Sequence, residues 1–276
     1  MSKAFLDLPR RELKPRRTGL TSLIDTGLPT GQFRDVIESH HALVDIVKFG
    51  WCTSLLTSDL GRKIDVLRAN GVKYYFGGTL FEKAYSQDRL DGFLGWVRGH
   101  RAEYLEVSNG VVDMSNEQKC EFIQLFAREF HVLSEVGYKD SGRSEGMDAE
   151  QWIRCLKADR AAGAEWVITE ARESGASGLC RPNGEPRFDL IEDIAGAGLD
   201  MDTLIFEAPT KALQTYFIKR FGARVNLGNI SFQDVVGLET LRLGLRADTF
   251  MLFDAPPVRG AAAVPVTPPH GAELPA

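Results

Sequence analysis

The chain has 276 residues with a formal net charge of −5, of which 43% are apolar and 26% charged. This composition is that of an ordinary globular protein, and the acidic balance argues against a general nucleic-acid binder. No apolar stretch approaches the roughly 20 residues of a membrane-spanning helix, and the N-terminus carries no signal pattern, so we expect no membrane association.

The two ends of the chain differ from its middle. Residues 1–18 are polar and basic and include Lys14-Pro15-Arg16-Arg17, which predicts an arm that lies on the folded domain or on a neighbouring subunit of a homo-oligomer. Residues 255–276 are rich in Pro and Ala without apolar periodicity, which predicts a disordered tail. The folded domain is therefore expected to span residues 19–254.

The four cysteines are widely spaced and form no C-x-x-C pair. This spacing indicates neither a zinc site nor a redox motif. We interpret the residues as reduced thiols of a cytoplasmic protein; they are Cys52, Cys120, Cys155 and Cys180.

Eight apolar runs recur along the chain, and each ends in a polar cluster and is followed by a helix-like stretch. Most are short and rich in Val, Ile, Leu and Phe, as is typical of parallel strands buried on both faces. The predicted strands are Leu20–Thr26, Asp45–Thr53, Lys73–Gly78, Tyr104–Asn109, His131–Gly137, Trp166–Arg172, Thr203–Ala208 and Arg224–Asn229.

Helix signals separate these strands. Ser115-Asn116-Glu117-Gln118 has the spacing of a capping box, and Asp148 is placed to cap the helix that carries Trp152 and Leu156. Eight strand-then-helix units predict an α/β fold of the (β/α)8 type, a TIM barrel in a single domain. The rival is a doubly wound open sheet, but the first strand ends in Asp25-Thr26-Gly27 without the Gly-rich turn of that fold.

Charged residues stand at the ends of the predicted strands, where barrel enzymes build their active sites. Strand parity places Glu170 and Arg172 on one face and Glu135 and Lys139 on another. Buried carboxylates need cations or a metal, and a hard ion such as Mg²⁺ prefers oxygen ligands. Candidate metal ligands are Glu106, Glu135, Glu170 and Glu207; the cations are Lys48, Lys139 and Arg172. A structural ion-pair network is the alternative interpretation.

Small residues after three strands predict anion binding, because they let backbone N–H groups approach a phosphate. Ser174 and Gly175 follow the sixth strand, and Gly78 and Thr79 follow the third. Asn226 and Asn229 belong to the eighth strand, near the usual phosphate site of barrels. Asp25, at the end of the first strand, is a further candidate for substrate binding.

Longer motifs at these positions resemble the phosphosulfolactate synthase family. The resemblance covers roughly Lys14 to Phe250. Its motifs are Val47-Lys48-Phe49-Gly50-Trp51, Gly77-Gly78-Thr79-Leu80-Phe81-Glu82, Glu135-Val136-Gly137 with Lys139, Glu170-Ala171-Arg172-Glu173-Ser174-Gly175, Ile205-Phe206-Glu207-Ala208-Pro209, Val225-Asn226-Leu227 with Asn229-Ile230, and Leu238-Glu239-Thr240-Leu241-Arg242 with Gly244-Leu245-Arg246 and Asp248-Thr249-Phe250.

The resemblance implies a (β/α)8 barrel that depends on Mg²⁺ and adds sulfite to phosphoenolpyruvate, giving (2R)-phospho-3-sulfolactate. It also implies that the product feeds coenzyme M or other sulfonate synthesis. Lys139 matches the proposed proton donor of the family. Lys48 and Arg172 are expected to reduce the repulsion between the two anionic substrates.

Two positions depart from the family pattern. The family usually has Asp-Lys-Gly at the end of the first strand, where this chain has Asp25-Thr26-Gly27, and an Asp is expected at Asn109. These departures keep two alternatives open. One is a divergent member that adds another nucleophile to an enol phosphate, and the other is a non-catalytic, stress-related barrel protein.

Overall fold

The computed structural model describes residues 5–172 and 174–254, which alternate between strands and helices. The strands are β1 Thr21–Asp25, β2 Ile46–Phe49, β3 Lys73–Phe76, β4 Tyr104–Val107, β5 His131–Val136, β6 Trp166–Thr169, β7 Leu204–Glu207 and β8 Leu227–Ile230. The helices are α1 Thr30–His40, α2 Leu60–Ala69, α3 Gly78–Ser86, α4 Leu90–Gly99, α5 Asn116–Phe126, α6 Ser141–Gly146, α7 Ala149–Ala162, α8 Phe188–Gly196, α9 Lys211–Phe221 and α10 Val235–Arg242. Short 3-10 turns cover 41–43, 53–55, 201–203 and 232–234.

All eight strands are parallel, and seven hydrogen-bonded pairings join them in the order β3-β2-β1-β8-β7-β6-β5-β4. The pairing of β1 with β8 joins the first and last strands, as a barrel requires. β3 and β4 lie side by side, and no strand ladder joins them in the described residues. The predicted (β/α)8 barrel in a single domain is therefore confirmed, with one seam in its wall.

The strands are buried on both faces. One face of each strand fills the barrel interior, where Leu20, Ile46, Tyr75, Leu133, Trp166, Ile168 and Ile205 form a cluster with Tyr104. The opposite face packs against the helices in a larger core. This double burial explains why the strands are apolar runs rather than alternating ones.

Helix starts agree with the capping prediction. Ser115 accepts a hydrogen bond from the amide of Gln118, and the Gln118 side chain returns to the Ser115 amide. Asp148 forms the same capping box with Gln151, and Trp152 and Leu156 are fully buried behind it. Such caps satisfy amides that have no partner within the helix.

The last strand corrects one expectation. The predicted strand began at Arg224, whereas β8 begins at Leu227, which pairs with Thr21 at the start of β1. Asn226 therefore precedes the strand and lies at the amino end of the barrel. The other observed strands end one to four residues earlier than predicted, because the polar clusters that follow them are loop residues.

The described part of the N-terminal segment lies against the amino end of the barrel. Arg16 Nη1 contacts Asp45 Oδ2 at 3.1 Å, and Lys14 Nζ donates to the carbonyl of Val44 at 2.6 Å. Arg11 Nε contacts Glu239 at 3.1 Å. The boundaries at 18 and 254 and the homo-oligomer stay predictions, and the predicted tail at 255–276 lies outside the described residues. No helix in the described ranges is long and apolar enough to cross a membrane.

Candidate active site

Six charged side chains meet at the carboxyl end of the barrel, and we call them the carboxylate–lysine cluster. They come from β2, β4, β5 and β7 and from the loops that follow β5 and β6. The side chains of five members are at least nine-tenths buried, whereas 26% of the Lys139 side chain is exposed. The members are Lys48, Glu106, Glu135, Lys139, Glu170 and Glu207.

Lys48 is the centre of the cluster. Its ammonium nitrogen lies 3.2 Å from Glu106, 3.1 Å from Glu135 and 3.4 Å from Glu207. Burial lowers the pKa of Lys48, but the three carboxylates outweigh it and hold the pKa well above the ordinary value. Lys48 therefore carries a permanent positive charge that keeps three strands' carboxylates together.

Lys139 lies beyond β5, after a turn at Gly137 whose φ is +124°. Its ammonium nitrogen is 2.5 Å from Glu135 and 3.1 Å from Glu170. Burial lowers the pKa of Lys139, but these carboxylates raise it well above the ordinary value. The exposed quarter of its side chain makes Lys139 the cluster cation that can reach a ligand from solvent.

The pKa values of Glu106 and Glu135 are shifted in opposite directions. Burial raises the pKa of Glu106 to about 7, although Lys48 opposes the shift. Burial also acts to raise the pKa of Glu135, but the ammonium groups of Lys139 and Lys48 hold it well below the ordinary value. Glu135 is therefore an anion that orients both lysines, whereas Glu106 titrates near neutral pH.

Glu170 and Glu207 are neighbouring carboxyl groups, and each influences the pKa of the other. Burial raises the pKa of both groups, and each group's neighbouring carboxylates add to the effect. Ala171 N donates to Glu207 at 3.0 Å, and Arg172 N donates to Glu170 at 2.5 Å. Such a pair holds a shared proton or a cation, because two adjacent carboxylates repel each other when both are ionised.

The cluster carries four carboxylates against two ammonium groups, an excess that a divalent cation would neutralise. Glu106 Oε2 and Glu170 Oε2 are buried, and their ion-pair partners are Lys48 at 3.2 Å and Lys139 at 3.1 Å. In residues 5–172 and 174–254, however, no three carboxylate, His or Cys groups are arranged to hold a metal ion. The four glutamates therefore do not form one ligand set. They fit an ion such as Mg²⁺, which needs only one or two protein carboxylates.

The loop after β6 departs from the strand parity that was expected to align Arg172 with Glu170. The strand ends at Thr169, and Arg172 has a left-handed backbone with φ of +54° and an exposed side chain. Its Nη1 donates to the Lys139 carbonyl at 3.2 Å. Ser174 is exposed nearby, whereas the buried Gly175 amide donates to the Arg172 carbonyl at 3.0 Å. The arginine thus stands at the edge of the cluster.

The Gly-rich start of α3 holds a carboxylate of the protein itself. The Gly78 amide, expected to bind substrate, donates to Glu106 Oε1 at 2.8 Å. Thr79 is half-buried at the first turn of the same helix. The Gly78 N–H group is thus bound within the protein, and substrate binding at Gly78 stays a prediction.

Asp25 also has a structural engagement. It is fully buried, and its Oδ2 lies 2.6 Å from the ammonium of Lys63 on α2. Its Oδ1 accepts hydrogen bonds from the amides of Gly27 at 3.0 Å and Leu28 at 2.8 Å. These contacts join Asp25 to α2 and to the loop after β1, and substrate binding by Asp25 stays a prediction.

The expectation for Asn226 is corrected by its position at the amino end of the barrel. Its amide nitrogen donates to the carbonyls of Asp202 at 2.9 Å and Leu204 at 3.0 Å, and its oxygen accepts from Leu20 N at 3.0 Å. The side chain is 1% exposed. It joins three strands far from the cluster and cannot contact a substrate there.

Asn229 remains at the carboxyl end. It has a left-handed backbone with φ of +54°, and its buried Oδ1 has no hydrogen-bond partner among the described residues. It lines a pocket of about 420 Å³ with Thr26, Trp51 and Ser231. No lining residue of this pocket is charged.

Sequence reasoning missed three groups. Lys63 and Lys119 are buried lysines that pair with Asp25 and with Asp159 at 2.8 Å. Their signal was present, because Lys63 lies in helical phase with Leu60 and Leu67 on the apolar face of α2. Trp51 is 52% exposed and lines the pocket that contains Thr26 and Asn229. Glu82, the third group, is buried and accepts hydrogen bonds from the loop after β4.

Comparisons with a family model and with individual relatives indicate the same family. Residues 9–248 match the model of the family described as (2R)-phospho-3-sulfolactate synthase (ComA). The phosphosulfolactate synthase of Bacillus subtilis is 48% identical over 252 residues, which cover 91% of this chain and 100% of the relative. The phosphosulfolactate synthase of Methanothermobacter thermautotrophicus is 41% identical over 245 residues, which cover 87% of this chain and 95% of the relative.

A solved structure supports the fold alone. A crystal structure of 3-hexulose-6-phosphate synthase is 15% identical, with a TM-score of 0.51. The match covers 81% of this chain and 97% of that one.

Proposed function

The chain belongs to the phosphosulfolactate synthase family of enzymes, and we propose that it catalyses Mg²⁺-dependent addition of sulfite to phosphoenolpyruvate, giving (2R)-phospho-3-sulfolactate. The observation that carries the proposal is the carboxylate–lysine cluster at the catalytic end of the barrel. We further propose a cytoplasmic location, which the free thiols of Cys52, Cys120, Cys155 and Cys180 support.

The reaction forms one carbon–sulfur bond and one carbon–hydrogen bond. The sulfur lone pair of sulfite attacks the methylene carbon of phosphoenolpyruvate, and the double-bond electrons move toward the substrate carboxylate. A proton then adds to C2, and the phosphate ester stays intact. The protein must therefore bring two anions together, stabilise charge on the carboxylate and deliver a proton to one face.

Lys139 has the properties of the proton donor. Its raised pKa keeps the ammonium protonated at neutral pH, and its partly exposed side chain reaches the open side of the cluster. Glu135 and Glu170 hold that ammonium from two sides, which restricts the direction of proton delivery. A donor fixed on one side of the substrate accounts for a single configuration at C2.

Lys48 and Arg172 supply the remaining cations. Lys48 neutralises the carboxylates beneath the site, so that an anionic substrate meets less negative charge. Arg172 stands at the exposed edge, where its guanidinium can pair with a carboxylate or phosphate.

Mg²⁺ is part of the proposal, and Glu170 and Glu207 are the carboxyl pair that would hold it. Water and substrate oxygens would complete its coordination, as is usual for this ion. The bound ion would act as a Lewis acid toward the substrate carboxylate.

The direct test is to incubate the purified protein with phosphoenolpyruvate, sulfite and MgCl2 and to follow the mixture by phosphorus NMR and mass spectrometry. We expect a phosphate ester whose mass equals that of phosphoenolpyruvate plus sulfurous acid, and no product when sulfite is omitted. Absence of product in every divalent metal tried would contradict the proposal.

A second candidate is addition of another nucleophile to an enol phosphate. The observation that favours it is the uncharged pocket beside β1, where Thr26 stands. The same assay with sulfide, thiosulfate or phosphite in place of sulfite separates the two candidates, because only the second predicts faster turnover with one of these.

A further inference from the structure

Glu82 is a buried carboxylate that the proposed chemistry does not use. It lies on α3 and is 2% exposed. Its Oε1 accepts hydrogen bonds from Ser108 Oγ at 2.5 Å and from Gly110 N at 3.2 Å. Its Oε2 accepts from Val111 N at 2.6 Å and Val112 N at 2.9 Å.

These four donors belong to one short segment, 108–112, which we call the β4 loop. A buried carboxylate is costly unless its charge is compensated, and here three backbone amides and a hydroxyl do so. Among the described residues no lysine or arginine forms an ion pair with Glu82. The carboxylate therefore determines where the β4 loop lies.

The β4 loop contacts the proposed proton donor. Lys139 N donates to the Gly110 carbonyl at 3.2 Å. A Cβ built on Gly110 would lie 3.4 Å from Lys139 Nζ and 3.3 Å from the Gly137 carbonyl. The same Cβ would lie 3.5 Å from Lys139 Cγ, so the loop at Gly110 lies close to both the stem and the ammonium group of Lys139.

We propose that Glu82 is a positioning residue for Lys139, acting through the β4 loop. This inference rests on the proposed function, because it takes Lys139 to be the proton donor of that reaction. Without the carboxylate, three amides lose their acceptor and the loop moves away from the lysine. Displacement of a catalytic group by about 1 Å can lower a rate by about 10²-fold.

The principal variant is Glu82→Gln, whose amide keeps the shape but offers one acceptor oxygen and an NH2 group that opposes the loop amides. We expect kcat to fall about 10- to 100-fold, while KM for phosphoenolpyruvate and sulfite changes less than about threefold. We also expect the solvent deuterium isotope effect on kcat to increase, because protonation at C2 becomes slower than the other steps. If the isotope effect is unchanged and kcat falls only in proportion to the fraction of protein that is unfolded, the positioning role is overturned.

The matched control is Glu239→Gln at the opposite end of the barrel. Glu239 is also buried, and it pairs with Arg11 at 3.1 Å. Its replacement should lower the melting temperature without changing kcat or the isotope effect. Equal kinetic effects in the two variants would show that lost stability, not Lys139 placement, explains Glu82→Gln.

Gly110→Ala provides a second variant should Glu82→Gln fold poorly. Gly110 has no positive φ, so alanine suits its backbone, while the added methyl group would lie 3.3 Å from the Gly137 carbonyl and 3.4 Å from Lys139 Nζ and would crowd the turn that carries Lys139. It leaves the Glu82 carboxylate intact. We expect the same signature, a lower kcat and a larger isotope effect at nearly constant KM.

Hydrogen exchange tests the same coupling without turnover. In Glu82→Gln, amide exchange should increase together in segments 108–112 and 137–140 and stay constant elsewhere. An increase confined to 108–112 would refute the action of Glu82 on Lys139, even if the wild-type protein made no product. A wild-type protein without turnover but with coupled exchange would instead contradict the proposed function alone.

Discussion

At the scale of single residues, the site depends on lysines whose charge is held by carboxylates. Lys48 contacts three carboxylates and Lys139 contacts two, and Glu135 is shared between them. Each ion pair would be expensive to bury alone, but the network offsets the desolvation of its members. The result is one buried cation and one that reaches the solvent side.

Replacing Lys139 tests its role directly. We expect Lys139→Ala to lower kcat about 10²- to 10⁴-fold, the usual range for loss of a general acid. The fold should survive, since Glu135 keeps its contact with Lys48 at 3.1 Å. Steady-state kinetics and thermal melting provide the measurement. Lys157→Ala, which removes an exposed lysine of α7, is the control and should leave kcat unchanged. More than a tenth of wild-type kcat in Lys139→Ala would remove the residue from this role.

At the scale of elements, α3 joins β3 to β4, two strands between which the described residues form no ladder. The Gly78 amide binds Glu106 on β4, and Glu82 binds the β4 loop. A Cβ on Gly78 would lie 2.6 Å from Glu106 Oε1 and would collide with Ser108 Oγ. Glycine at this position is what lets the helix approach the strand.

Gly78→Ala is therefore expected to push α3 away from β4 at the gap between β3 and β4. Overpacking of this kind costs about 1–3 kcal/mol, or about 2–4 °C in melting temperature for each kcal/mol in a chain of this size. We also expect kcat to fall, because Glu106 must move away from Lys48. Urea denaturation and steady-state kinetics give the two measurements.

The control for that variant is Gly95→Ala in α4. Among the described residues, no atom outside the helix lies within 4 Å of the added Cβ, and Gly95 is exposed. Alanine should stabilise this helix by about 0.5–1 kcal/mol without changing kcat. If Gly78→Ala behaved like Gly95→Ala, the close approach at the seam would be unimportant.

At the scale of the whole molecule, the barrel gathers four buried glutamates at its carboxyl end. Its strands point their carboxyl ends the same way, so carboxylates from distant parts of the chain converge there. Burial raises the pKa of Glu106 to about 7 from an ordinary 4.5. Its stabilising contribution is complete below about pH 4.5 and is lost as the pH rises through about 7.

Thermal stability should therefore depend on pH and on Mg²⁺. Between about pH 5 and pH 8 we expect the wild-type melting temperature to fall relative to that of Glu106→Gln, by the equivalent of about 1–3 kcal/mol. Added MgCl2 should raise the wild-type melting temperature more at about pH 8 than at about pH 5.5, since the ion binds ionised carboxylates. Differential scanning fluorimetry across a pH series measures both effects.

Glu239→Gln is again the control for that series, because its carboxylate lies outside the cluster. It should follow the wild-type pH dependence and keep the Mg²⁺ response. A Mg²⁺ effect that is absent, or equal at both pH values, would contradict binding of the ion by the cluster.

The sequence predicted the barrel well because its signals are local. Apolar runs of strand length, capping boxes at Ser115 and Asp148, and the absence of a Gly-rich first turn each depend on neighbouring residues. The sequence did not predict where within an apolar run a strand begins. The run that includes Asn226 predicted a strand, but only pairing of Leu227 with Thr21 sets where the ladder begins.

Strand parity predicted which polar side chains face the barrel axis, and it could do so only inside a strand. Glu135 agrees with the predicted parity, whereas Arg172 lies beyond the end of β6 after a left-handed turn and is exposed. Asp25 lies on the helix-facing side of β1, where Lys63 binds it. A strand's end thus marks the limit of what alternation can predict.

By itself, the sequence determined eight strand-and-helix units, the end of the barrel that carries charge, and the residue types available there. Only the tertiary structure decided which of these charged residues contact one another. Lys48 meets Glu135 and Glu207 across 87 and 159 residues of chain, because closure of the barrel brings β2, β5 and β7 around one axis. Periodicity specifies the direction of a side chain, whereas its partner depends on distances that only the closed barrel defines.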